Sequence, residues 1–300
     1  MRFNKSVQGI LFLIFAASAL APARAQSATQ PAETLTVTVT DKKHNPVNDL
    51  KAGDFKVYDN DQPQQITAFS HSTVTACVGL LIDNSGSMRQ QHSAVIAAML
   101  DLVKAGNPED RTFVVNFNDQ PYLDQDFTKD VNRVEEGLRR ANPRGGTALY
   151  DAIIASADHL ANTPTCAKRI LVIASDGEDN SSRKSLQQTI SALQEAGDTV
   201  VYAIALPHDV IPNHVRRGPH ALEEIVTPTG GVIFSSESNL SDLKKAVQKL
   251  AEELRNQYSL TYVLANPPGK GTYHRTRVEV AAPEQRDVKV RTRAGYVARK

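Results

Sequence analysis

Apolar residues along this chain follow three successive rhythms. From Thr34 to Ser72 the period is two: Leu35, Val37 and Val39 alternate with Thr36, Thr38 and Thr40, as a strand requires. Asn45-Pro46 and Asp59-Asn60-Asp61 signal turns, and Phe55–Val57 and Ile66–Phe69 further short strands. From Ala76 strands alternate with helices. Val78 to Asp83 is a continuous apolar run ending in a carboxylate, the pattern of a central parallel strand covered on both faces. Val95, Met99, Leu102 and Val103 then recur at helical spacing. Arg111–Phe117, Arg169–Ala174, Thr199–Ala205 and Val232–Phe234 are the next strands, with Pro121–Phe127 as a short edge strand. Helices are predicted around Leu149 to Leu160, Leu186 to Leu193, and Leu222 with Ile225, and a closing helix carries Leu240, Leu243, Val247, Leu250 and Leu254. After Asn256 period two returns in Tyr258, Leu260, Tyr262 and Leu264, then in Val278/Val280 and Val288/Val290.

This grammar predicts an α/β fold over 76–255, an open, mostly parallel, doubly wound sheet with helices on both faces. The β segments on either side, 34–72 and 256–300, are each too small to bury a sheet face. We expect them to pair into one small β-sandwich made from both chain ends; two separate additions to the large sheet are the alternative. A length of 300 residues suits one large and one small domain.

The first 25 residues read as a secretory signal. Arg2 and Lys5 form a basic start, Gly9 to Leu20 an apolar stretch, and Ala23-Arg24-Ala25 a cleavage site before Gln26. The apolar stretch falls short of the ~20 residues that cross a bilayer, so cleavage is favoured over anchoring. Residues 26–33 are small and polar, a flexible lead-in. Cleavage removes Arg2, Lys5 and Arg24 and takes the formal net charge from +1 to −2. That balance, with only isolated Arg139-Arg140 and Arg216-Arg217 pairs, argues against a nucleic-acid partner. The expected location is the periplasm or the medium, with no transmembrane segment in the mature chain. Cys77 and Cys166 precede neighbouring strands; in an oxidising compartment a bridge and two separate thiols are both open readings.

The densest chemical signal is Asp83-Asn-Ser85-Gly-Ser87. Asp83 ends a buried strand and the serines lie in the loop that feeds the next helix, where ligands gather in open α/β sheets. A turn at Gly86 is expected to let Asp83, Ser85 and Ser87 point inward together. Two later loops reach the same edge: Gly145-Gly146-Thr147 before a helix, and Ser175-Asp176-Gly177 at the end of a strand. Two carboxylates and three hydroxyls are hard oxygen donors suited to Mg²⁺, with Mn²⁺ or Ca²⁺ as alternatives.

In their order and context these residues resemble the metal-ion-dependent adhesion site of the von Willebrand factor type A family, an Asp-x-Ser-x-Ser motif joined by a Thr and an Asp. The resemblance covers about Ala76 to Arg255, and the β flanks are similar to those of bacterial secreted proteins carrying this domain. It implies that Ser85, Ser87 and Thr147 touch the cation directly, and that Asp83 and Asp176 act mostly through water. It also implies a protein partner that offers an Asp or Glu carboxylate to the metal.

Other signals are weaker. Glu178 and Asp179 read as a solvated loop tip, and Asn118 and Asp119 as loop residues. His208, Asp209, His214 and His220 cluster among prolines without a compact zinc spacing. No Gly-x-Ser-x-Gly elbow, P-loop or Gly-x-Gly-x-x-Gly is present, so no catalytic residue is expected. The expectation is an exported, metal-dependent binding module. A purely stabilising metal and a metal-assisted enzyme are the competing readings.

Overall fold

The computed structural model describes residues 32–71, 74–163, 166, 168–207, 218–236, 240–264, 269–281 and 287–298. The expected leader, cleavage site and most of the lead-in, together with His208, Asp209 and His214, lie outside the described residues.

At the centre is a six-stranded sheet. In chain order its strands are β5 (Ala76–Asp83), β6 (Arg111–Phe117), β7 (Pro121–Thr128), β8 (Lys168–Ser175), β9 (Thr199–Ala205) and β10 (Ile233–Ser235). Their spatial order is β10-β9-β8-β5-β6-β7. Every pairing is parallel except that of the edge strand β7 with β6. All eight residues of β5 are buried, as a strand covered on both faces demands. One face packs against α1 (His92–Ala105), α2 (Val131–Leu138) and α6 (Leu240–Arg255), through Leu80, Ile82, Val114, Val172 and Tyr202. The other packs against α3 (Leu149–Ala161), α4 (Leu186–Ala196) and α5 (Gly218–Val226), through Leu81, Phe113, Leu171 and Ile173. This is the expected doubly wound sheet.

Helix α2 is absent from the sequence reading. Only Val134, Gly137 and Leu138 of its eight residues are buried, and Asp130 caps it by accepting from Asn132 N–H at 2.9 Å. At α4 a reciprocal capping box links Ser185 and Gln188.

The two β flanks form one sandwich. Strands β1 (Ala32–Thr40), β4 (Ile66–His71), β11 (Tyr258–Val263) and β13 (Lys289–Arg291) make one antiparallel sheet in the order β13-β1-β11-β4. Strands β2 (Phe55–Asp59), β3 (Gln62–Gln64), β12 (Tyr273–Val280) and β14 (Gly295–Val297) make the other in the order β14-β12-β2-β3. In each sheet a strand from the start of the chain pairs with one from its end, β1 with β11 and β2 with β12. Leu35, Val37, Phe55, Val57, Tyr258 and Leu260 share the core between them. Strand β1 starts at Ala32, two residues inside the expected lead-in, because Ala32 and Glu33 are in register with Val263 and Tyr262. A buried Asp59 crosses the sandwich, accepting from Tyr262 Oη at 2.7 Å and Tyr296 Oη at 3.0 Å and lying 2.5 Å from His274 Nδ1. Burial and the neighbouring carboxylate push both tyrosine hydroxyls far above their ordinary range.

The sandwich meets the α/β unit away from the carboxyl ends of its strands. Ala294 N–H donates to the Pro228 carbonyl at 2.8 Å, and Gln257 Nε2 to Tyr202 Oη at 2.8 Å. A disulfide joins Cys77, near the start of β5, to Cys166, just before β8, which settles the pairing left open above. The opposite rim of the sheet is left to the loops.

Candidate metal centre

Asp83 and Ser175 end adjacent parallel strands, so the sheet itself delivers two polar side chains to one place. Ser175 Oγ donates to Asp83 Oδ2 at 2.6 Å, and Ser85 N–H donates to Asp83 Oδ1 at 2.9 Å. Asp83 is 1% exposed. Burial dominates its ionisation and raises its pKa to about 6; the bonds from Ser175 and Ser85 oppose that, and the Asp176 charge adds to it.

Ser85 Oγ lies 3.0 Å from Ser87 Oγ, which in turn donates to Asp176 Oδ2 at 3.2 Å. Asp176 Oδ1 accepts from Glu178 N–H at 3.1 Å, which fixes the carboxylate's orientation. Asp83, Ser85 and Asp176 are buried and Ser87 is half-buried beside the exposed Gly86, so the cluster opens to solvent at one point. Thr147 sits on a third loop, docked on the first through Gly86 N–H to the Gly145 carbonyl at 3.1 Å. Asn180 locks that loop, its Oδ1 accepting from Thr147 N–H at 2.8 Å while its own N–H donates to the Thr147 carbonyl at 3.0 Å. Four of the five expected residues are thus joined by direct hydrogen bonds, and the fifth lies on the adjoining loop.

The loop geometry departs from expectation in one respect. Gly86 has no left-handed φ and opens a short 3₁₀ turn, Gly86–Gln90. The left-handed positions are Gly145 (φ 73°) and Gly177 (φ 82°), and at Gly177 a Cβ would also strike the Gly218 carbonyl. The inward-facing serines therefore depend on the two neighbouring loops.

Several residues that carry the site had no sequence signal. Ser175 holds the second oxygen of Asp83. Asn84 binds the end of β6, donating from its N–H to Phe117 O at 2.7 Å and from Nδ2 to Asn116 Oδ1 at 2.8 Å. Asp119, expected to be a plain loop residue, accepts from Gly146 N–H at 2.7 Å and shapes the Thr147 loop. Asp179, expected at a solvated tip, caps α3 by accepting from Tyr150 N–H at 3.0 Å. Glu178 accepts from Gly218 N–H at 3.0 Å. Asn118 gives its carbonyl to Ala148 N–H at 2.7 Å. Within α5, His220 pairs with Glu224 at 3.2 Å on an exposed face.

The donor set suits a hard cation. Among the described residues no three His, Cys, Asp or Glu side chains converge, so a cation here would have to draw on hydroxyls as well as carboxylates. Adjacent ligands of an octahedral ion at about 2.0–2.1 Å lie roughly 3.0 Å apart. The Ser85–Ser87 oxygen separation, 3.0 Å, matches that edge. A polar cleft of about 230 Å³, lined in part by Asn84, Asn118 and Tyr122, adjoins these loops.

An open α/β sheet with an Asp-x-Ser-x-Ser loop at its carboxyl rim defines a von Willebrand factor type A domain. The model of that family matches residues 78–178, a span that contains all five candidate residues, and this part of the chain is such a domain. Domains of this class commonly bind proteins. A von Willebrand factor type A structure from Catenulispora acidiphila aligns with a TM-score of 0.52 at 13% identity, covering 92% of this chain and 76% of that one. Proximal thread matrix protein 1 from the mussel byssus aligns with a TM-score of 0.51 at 17% identity, covering 66% of this chain and 51% of that one. The conserved hypothetical protein BatB from Bacteroides thetaiotaomicron gives 0.48 at 18% identity, over 60% of this chain and 100% of that one. At such identities the first two likenesses speak to fold alone. No curated protein sequence matches the chain.

Proposed function

We propose that the protein is an exported binding module that holds a divalent cation, Mg²⁺ by preference, and through it a carboxylate of a protein partner. The observation that carries this reading is the pair of Ser85 and Ser87 oxygens at octahedral-edge spacing, with Ser87 bonded to Asp176 beside the buried Asp83. Ser85, Ser87 and Thr147 would hold the ion, with Asp83 and Asp176 balancing its charge from the sheet ends. The bound ion supplies a positive centre with a replaceable position. Burial of Asp83 and Asp176 keeps water from screening that centre, which strengthens its attraction for a partner's Asp or Glu. The neighbouring cleft gives room for the residues beside that carboxylate. This role is binding, and no residue is assigned to catalysis.

Export is supported by the leader-like N-terminus and by the Cys77–Cys166 disulfide, which belongs to an oxidising compartment. No described helix is long and apolar enough to cross a membrane.

The test is a pull-down from envelope and medium extracts with Mg²⁺ and with EDTA, beside calorimetric titration of Mg²⁺ into wild type and an Asp83→Ala, Ser85→Ala double variant. Partners lost only in EDTA, with metal affinity lost in the folded variant, support the reading. Undiminished metal affinity in that variant overturns the site. Partners retained in EDTA leave the metal with a bracing role only.

A further inference from the structure

A second site lies at the other end of the sheet. A cavity of about 90 Å³ sits near the starts of β5, β6 and β8, under the last turns of α1 and α6 and the first turn of α2. Its walls are mostly aliphatic, with Val78, Leu102, Val134, Ile170 and Leu254 among them. Into this setting the first residue of β8 brings Lys168, which is 3% exposed.

A buried ammonium is tolerated when it is paired and hydrogen-bonded, because removal from water otherwise costs several kcal/mol. Among the described residues Lys168 has neither a hydrogen bond nor an ion pair. Asp110, the carboxylate facing the same cavity, is engaged elsewhere: Oδ1 accepts from Ala76 N–H at 2.7 Å and Oδ2 from Asn107 N–H at 3.1 Å. Its field only partly offsets the effect of burial, which lowers the Lys168 pKa to about 8. His71 is another titratable group whose charge interacts with Lys168, and burial together with that ammonium lowers its pKa. The ammonium therefore sits in a mostly aliphatic cavity whose one lining carboxylate, Asp110, already accepts two backbone N–H bonds.

A plain structural lysine accounts poorly for this arrangement. A methionine in its place would fill the same volume without a desolvation cost, and a lysine placed only for solubility would reach water. The cavity is open on one side, where the exposed Pro108, Lys129 and Arg255 line it. Both basic side chains there are held away from the interior, Lys129 by Glu109 at 2.5 Å and Arg255 by the Ala105 carbonyl at 2.8 Å. A ligand that fits must bring one anionic head and an aliphatic body. The enclosed volume is smaller than the roughly 150 Å³ that accepts a benzene ring, so only a few carbons are enclosed and a longer tail must run out through the open side.

We propose that this cavity binds a free aliphatic carboxylate of about four to eight carbons, its carboxylate on the Lys168 ammonium and its chain against Val78, Val134, Ile170 and Leu254. The proposal is independent of the metal centre, which lies at the carboxyl ends of the same strands.

Three hexyl probes differing only in the head group test it: hexanoate, hexanol and hexylamine, titrated into the whole protein and followed by backbone amide shifts. Hexanoate is expected to saturate in the roughly millimolar range or below and to bind at least about tenfold more tightly than hexanol, with shifts centred on Val78, Val134 and Leu254. Hexylamine is expected to be excluded. In a Lys168→Met variant the preference for hexanoate over hexanol should vanish while hexanol affinity persists. Unsaturable hexanoate, equal binding of hexanoate and hexanol by wild type, or an undiminished hexanoate preference in the variant each overturn the proposal. The wild-type comparison decides alone if the variant does not fold.

Discussion

Ser175 Oγ donates a 2.6 Å hydrogen bond to Asp83 Oδ2, tying the ends of two neighbouring parallel strands together directly beneath the candidate ligands. With Ser85 N–H on the other oxygen, both lone-pair faces of the Asp83 carboxylate are directed by the protein. Residues that orient a ligand in this way commonly affect metal affinity by about 10–100-fold. Ser175→Ala should therefore weaken Mg²⁺ binding by about that factor, measured by calorimetry. Loss of a buried hydrogen bond to a charged group should also lower unfolding free energy by roughly 2 kcal/mol.

The glycines of the site loops should respond unequally. Gly177→Ala places a side chain at φ 82° and against the Gly218 carbonyl, and should cost at least about 1–2 kcal/mol. Gly86→Ala adopts an ordinary φ, with its Cβ 3.5 Å from the Gly145 carbonyl oxygen, and should stay within about 0.5 kcal/mol of wild type. Thermal melts of the two variants, both without added metal, make the comparison.

Removing the disulfide should separate stability from binding. Cys77 and Cys166 are 89 residues apart in sequence, so their bond restricts a large loop in the unfolded chain. A Cys77→Ala, Cys166→Ala variant should lose about 2–4 kcal/mol in denaturant titration. Its Mg²⁺ affinity should match wild type, because the bond joins the ends of the strands opposite the metal centre.

Lys168 gives a pH dependence of defined sign. Its pKa is near 8 in the folded protein against 10.5 for the free side chain, so the folded state releases the proton first. Between those values the unfolded chain holds more protons, and stability rises with pH across that window. Below pH 8 the buried charge opposes folding, by at most about 3 kcal/mol. Lys168→Met should be more stable than wild type at pH 7, and the difference should shrink toward pH 10.5. Denaturant midpoints at a series of pH values measure it.

Much of this architecture could be read from one chain because the informative residues occupy regular positions. Of the two acidic candidates Asp83 ends an apolar strand and Asp176 follows one, and Thr147 follows a Gly-Gly pair, so sheet topology alone predicts their convergence. Helix α2 escaped because it is only eight residues long, although Val131, Val134 and Leu138 do recur at the helical i, i+3, i+7 spacing. Strands β3 and β14 are three residues each and owe their form to partners far away in sequence. Ser175, Asn84 and Asp119 act through contacts spanning 27 to 92 residues, which no local spacing encodes. The role assigned to Gly86 belonged to Gly145 and Gly177 for the same reason: a neighbouring loop set the shape of the turn.

The crossing of β1 with β11 and of β2 with β12 has a temporal consequence. Neither sheet of the sandwich can assemble until residues beyond Tyr258 have emerged, whereas every strand of the α/β unit is complete by Ser235 and its last helix by Arg255. Long-range pairings of this kind close slowly, after local structure has formed. The α/β unit should therefore take shape first, with Leu35, Val37 and Phe55 still in water. The β segment that leaves the ribosome early would be among the last parts of the chain to find its place.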